Sequence, residues 1–150
     1  MGARRKRPPR MLQPAELAYI AGVIDGEGTI GIYRLRSPSR YQMKLCISNT
    51  SWPLLEWIRE RVGGALVCVA KATSKHREGW QLVVSQYQAA PLLLGCREYL
   101  QVKQAQADLA LRYMDEYRPA SGNSPSEEEV ARRRWYWDET RRLNRRGPLH

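Results

Sequence analysis

The chain has 150 residues, with 25 lysines and arginines against 15 acids, a net charge of +10 and 43% hydrophobic residues. That length can bury a core as one domain without a staple, and three scattered cysteines with only two histidines argue against a disulfide framework or a structural zinc site. Apolar runs such as PLLLGC are too short to span a bilayer, so the composition points to a folded intracellular protein of a reducing compartment whose partner is an anion, nucleic acid first.

Residues 1–13 begin MGARRKRPPR, five positive charges without an acid, and read as a basic flexible arm. From Pro14 the pattern is helical, with Leu17, Ile20 and Ile24 on one buried stripe. Ala18, Gly22 and Gly26 recur at i, i+4 and i+8 as a second, small-residue face that would let another backbone come close. After Gly28 the period becomes two. Ile30 and Ile32 point one way and Thr29, Gly31 and Tyr33 the other; a second strand, YQMKLCIS, sets Met43, Leu45 and Ile47 against Gln42, Lys44 and Cys46.

Ser51 and Pro53 open a second helix that Gly63 and Gly64 end. ALVCVAKA and WQLVVS form a second strand pair, and YQAAPLLLGCREYL a third helix, with VKQAQADLALRYMDEY a fourth or its continuation. RPASGNSP, 118–125, is a linker by composition. Ser126 and Glu129 form a capping box for an arginine-rich helix within 126–150 that runs to about Gly147 and packs lightly through Val130 and Trp137.

The order αββαββα over 14–117 predicts an α+β fold: a four-stranded antiparallel sheet with helices on one face, plus the C-terminal basic helix. The other face is expected to be polar and bare, carrying Tyr33, Gln42, Lys44, Cys46 and Gln81. Basic loops with Arg34, Arg36 and Arg40, and with Lys71, Lys75, His76 and Arg77, flank it. Such a surface suits the DNA major groove, which admits a β-ribbon, while Arg141 and Arg145 of the last helix suit phosphates.

GEGTIG, residues 26–31, matches a dinucleotide-binding pattern literally, but that motif follows a strand and opens a helix, the reverse of the order here. A calcium loop starting at Asp25 would have Arg36 where a glutamate is required. Asp25 and Glu27 lie at a helix C-terminus, where the dipole disfavours anions. If the small-residue face meets its copy on a second chain, two Glu27 carboxylates converge and invite a cation such as Mg²⁺. A tight helix-to-strand turn with solvated acids is the alternative.

YIAGVIDGEG, Tyr19–Gly28, resembles the defining motif of LAGLIDADG homing endonucleases, with Glu27 at its acidic eighth position. YLQVKQAQADLAL, 99–111, is similar to the segment that carries an active-site lysine in single-motif members, at the position of Lys103. The resemblance implies a homodimeric, intron-type endonuclease that cuts a long pseudo-palindromic duplex and leaves short 3′ overhangs. It implies Mg²⁺ (or Mn²⁺) held by Glu27, past the last regular helical turn, and by backbone carbonyls near Gly26. Lys103 would steady charge near the attacking water and Asn49 would orient that water; the basic residue usual after Asn49 has no counterpart in TSWP. The rival is a non-cleaving binder on the same fold, an RNA-gripping splicing cofactor or a transcriptional regulator.

Overall fold

The computed structural model describes residues 11–37, 39–117 and 124–145. Most of the basic arm, residue 38, most of the linker and residues 146–150 lie outside the described residues. The elements run α1 (Pro14–Glu27), β1 (Gly28–Arg34), β2 (Tyr41–Asn49), α2 (Trp52–Val62), β3 (Ala65–Ala70), β4 (Gly79–Ser85), α3 (Gln86–Cys96), a short 3₁₀ turn, α4 (Gln104–Glu116) and α5 (Glu127–Asn144). One antiparallel sheet of order β1-β2-β4-β3 holds them together.

Strand alternation decides which side chains meet. Ile30 stands opposite Leu45 and Ile32 opposite Met43, while Ile47 and Leu45 face Leu82 and Val84 across the next ladder. All are buried, and with Ile20 and Ile24 of α1, Leu55 and Ile58 of α2 and Leu93 of α3 they form one continuous core. Burial of each such side chain stabilises the fold by about 1.5–3 kcal/mol. Ser51 caps α2 by accepting from the Leu54 amide at 3.4 Å. That helix stops because Gly63 and Gly64 turn to φ of 92° and 102°, which side chains with a Cβ rarely adopt. Among the described residues no helix is long and apolar enough to cross a membrane.

The last helix departs from expectation. It does not rest lightly on Val130 and Trp137 but buries Arg133, Tyr136 and Thr140, and it runs along β1, an edge strand of the sheet. The Ile32 amide donates to Thr140 Oγ1 at 3.0 Å, and Asn144 Nδ2 donates to the Ile30 carbonyl at 2.9 Å. Side chains of α5 thus take the place of a missing fifth strand, which satisfies and hides an edge that would otherwise invite pairing.

Thr140→Val keeps the shape of the side chain and removes the acceptor, leaving a buried amide unpaired. Urea unfolding is expected to show a loss of about 1–3 kcal/mol, largely recovered in Thr140→Ser. A valine variant as stable as the wild type would show that the edge does not depend on this bond.

Candidate active site

α1 passes straight into β1, and Gly28 makes that possible. A Cβ at this position would lie 2.8 Å from the Ile24 carbonyl oxygen, and the Gly28 amide donates to that oxygen. Glu27 is therefore the last residue of α1 itself, not a residue past its final turn. It is exposed, and among the described residues its carboxylate has no hydrogen-bond or ion-pair partner.

Asp25 behaves differently. Its Oδ2 accepts from the Gln101 amide at 2.7 Å, and its Oδ1 accepts from the amides of Val102 and Lys103 at 3.1 and 3.0 Å. Burial pushes this carboxyl's pKa up, but the three amides and the Lys103 charge outweigh it and hold the group below its ordinary range.

Lys103 returns the contact. Its ammonium donates to the carbonyls of Ile24 and Asp25 at 2.9 and 2.8 Å, where the negative end of the helix dipole favours a cation. Burial lowers its pKa, opposed by the charges of Asp25 and Glu27. Glu27 and Lys103, 76 positions apart in the sequence, thus share one helix end.

Asn49 closes β2 at that same end of the sheet. Gly28 pairs with Ile47, so Asn49 lies two residues beyond, opposite Trp80. Its Oδ1 accepts from the Ser51 amide at 2.7 Å, shaping the turn into α2, and Trp52 stacks edge-on against Trp80 beside it at 4.6 Å. One side of the Asn49 amide is therefore committed to a turn.

Ala18, Gly22 and Gly26 are all exposed on one face of α1, and a Cβ added at Gly22 or Gly26 would meet nothing within 4 Å. Among the described residues no group of three or more His, Cys, Asp or Glu side chains could hold a metal within one chain.

On the open side of the sheet, Tyr33 stands opposite Gln42, Gly31 opposite Lys44, Cys46 opposite Val83 and Ser48 opposite Gln81. Gln81 Nε2 donates to Ser48 Oγ at 3.1 Å. Tyr33 and Cys46 are half-buried, and burial raises the pKa of each.

This side is not polar throughout, contrary to expectation. Val67, beside Gln81, is exposed, as is Val69 at the irregularity in β3. ALVCVAKA lacks a clean polar–apolar alternation, the one signal in the sequence that both of its faces carry apolar side chains.

The two basic loops lie at opposite ends of the sheet. Residues 35–40, with exposed Arg36 and Arg40, join the far ends of β1 and β2. Residues 71–78, with Lys71, Lys75, His76 and Arg77 all exposed, start β4 at the end that carries Asn49. At the β1 edge, Arg34 and Arg141 both lie over the Trp137 ring, 6.0 and 4.9 Å from its centre, and Arg145 is exposed beyond α5.

Neither a family model nor a curated protein matches the chain. Solved structures do. The homing endonuclease I-CvuI, in complex with its target in the presence of Ca, aligns over 91% of this chain and 87% of its own at a TM-score of 0.66 and 17% identity. The archaeal intron-encoded homing endonuclease I-Vdi141I, complexed with DNA, aligns over 89% and 86% at 0.68 and 18%. The LAGLIDADG homing endonuclease I-LtrWI, bound to target DNA, aligns over 89% of this chain but only 47% of its own, at 0.56 and 17%. The chain has the LAGLIDADG homing endonuclease fold.

Proposed function

We propose that the chain is a metal-dependent, site-specific double-strand DNA endonuclease that acts as a homodimer through paired α1 helices. The observation that carries this reading is the α1 terminus: a Glu27 carboxylate without a partner among the described residues, beside a lysine anchored on the Ile24 and Asp25 carbonyls in the last turn, next to an open strip of small residues. A solvated turn does not require a half-buried lysine to be held there by two hydrogen bonds. The match to one half of I-LtrWI supports a second copy of this chain as the missing half.

Glu27 and the Gly26 carbonyl are hard oxygen donors, the class that Mg²⁺ or Mn²⁺ takes. One chain supplies too few of them, and the dimer would supply a matched set across its axis. The bound cation would stabilise charge on the attacking and leaving oxygens at phosphorus. Lys103 would hold positive charge beside the scissile phosphate, with its burial sharpening the effect, and the free side of the Asn49 amide would orient water.

The open sheet face would read bases, and the arginines at the β1 edge would hold phosphates. Alanine at Lys44 or Gln81 is expected to shift preference at particular positions, by about 1–3 kcal/mol for a good base contact. Alanine at Arg141 or Arg145 is expected to weaken binding to every sequence alike and to reduce the salt slope by about one. Profiling cleaved sites from a randomised duplex library separates the two; an unchanged profile for the Lys44 and Gln81 variants would remove specificity from this face.

Incubation of the purified protein with such a library, with Mg²⁺, with Mn²⁺ and with neither, tests the whole reading. Metal-dependent double-strand cuts with short 3′ overhangs are expected. Tight duplex or RNA binding without cutting under any of these conditions would identify a binder on the same fold.

A further inference from the structure

We propose that Asp25 is the positioning residue of Lys103, acting through a reciprocal clasp between the end of α1 and the start of α4; this rests on the nuclease reading above. The acid of α1 gathers three consecutive amides, those of Gln101, Val102 and Lys103, and the amine of Lys103 reaches back to two carbonyls of α1. Five hydrogen bonds of 2.7–3.1 Å tie together positions 76 to 79 apart in sequence.

Two physical points support a purpose beyond anchoring. A carboxylate near a helix C-terminus is disfavoured by about 0.3–1 kcal/mol, so Asp25 is a poor choice for a generic helix end and a good one where donors must be collected. The segment 101–103 is neither helix nor strand, so its amides have no ladder to fix them, and the backbone of Lys103 takes its place from the Asp25 carboxylate. A lysine side chain is long and mobile. With its backbone pinned and its ammonium seated on the same helix end, it stays beside Glu27 before any substrate arrives, which is the pre-organisation a reaction at phosphorus requires.

The test uses Asp25→Asn, Lys103→Ala and the double variant of the full chain. In the wild type the Lys103 ammonium should give a slowly exchanging ¹⁵N–¹H signal at neutral pH and low temperature, assigned by its absence in Lys103→Ala. Asp25→Asn should lose that signal. In single-turnover cleavage of one cognate duplex at saturating Mg²⁺, Asp25→Asn should be about 10- to 100-fold slower, with duplex affinity in Ca²⁺ unchanged. The double variant should be no slower than Lys103→Ala, within about twofold.

A retained ammonium signal in Asp25→Asn, or rate losses that multiply in the double variant, would overturn the proposal and leave Asp25 a structural anchor. Should Asp25→Asn not fold, Asp25→Glu, which keeps the charge but moves the carboxylate by one methylene, must show the same loss of signal. A wild type that cuts no duplex sinks the nuclease reading, whereas the ammonium signal still decides the clasp.

Discussion

Glu27→Gln is expected to abolish cleavage while the protein folds, pairs and binds its target as before. The substitution is close to isosteric and the position is exposed, so the fold loses no packing. What it removes is the charge that would hold a divalent cation; loss of several kcal/mol of transition-state stabilisation corresponds to about 10³-fold or more in rate. Binding in Ca²⁺ should be equal to the wild type or tighter, because in the proposed dimer two carboxylates would no longer oppose the phosphates. Single-turnover cleavage and duplex affinity across a Mg²⁺ series give both quantities. Cleavage at close to the wild-type rate would mean that the acid serves only the turn into β1.

The second large effect is expected at Gly22. An exposed glycine inside a helix costs about 1 kcal/mol relative to a good helix former, and its Cβ position is open space in the single chain. In a monomer, Gly22→Leu would therefore be neutral or stabilising. In a dimer joined through this face, two leucines would be forced between closely approaching helices. Overpacking of about 1–3 kcal/mol per side raises the dissociation constant by about 30-fold or more. Sedimentation of both proteins at micromolar concentration, with thermal unfolding alongside, tells the cases apart. A wild type that sediments as a monomer with and without DNA would refute pairing through α1.

What was legible in the sequence follows from which interactions are periodic. β2 alternates Met43, Leu45 and Ile47 with Gln42, Lys44 and Cys46, so its faces were readable, as were the two faces of α1. The seal on β1 was not. Arg133, Tyr136, Thr140 and Asn144 follow a helical spacing, but they are an arginine, a tyrosine, a threonine and an asparagine; Thr140 and Asn144 bond to β1, 108 and 114 positions away, and Tyr136 packs edge-on against Tyr113. Hydropathy is blind to such a stripe.

The candidate site divides in the same way. The motif carried Glu27, and the segment resemblance carried Lys103. The Asp25 clasp depends on main-chain amides, which every residue but proline has, so no side-chain pattern announces it. The place of Asn49 beside the end of α1 likewise required the strand register.

The span between the two basic loops sets a limit on information. β2, which joins one end of the sheet to the other, has nine residues, about 30 Å at about 3.3 Å each, or the rise of about nine base pairs at about 3.4 Å per step. If every one of those pairs were read without error, one chain would select one sequence in about 3 × 10⁵. A genome offers about 10⁶–10⁹ competing positions, so a single sheet of this length would find many equal addresses. Two copies would read about twice the length and square the odds, to about one in 10¹¹. A sheet this short can name one place in a chromosome only in company.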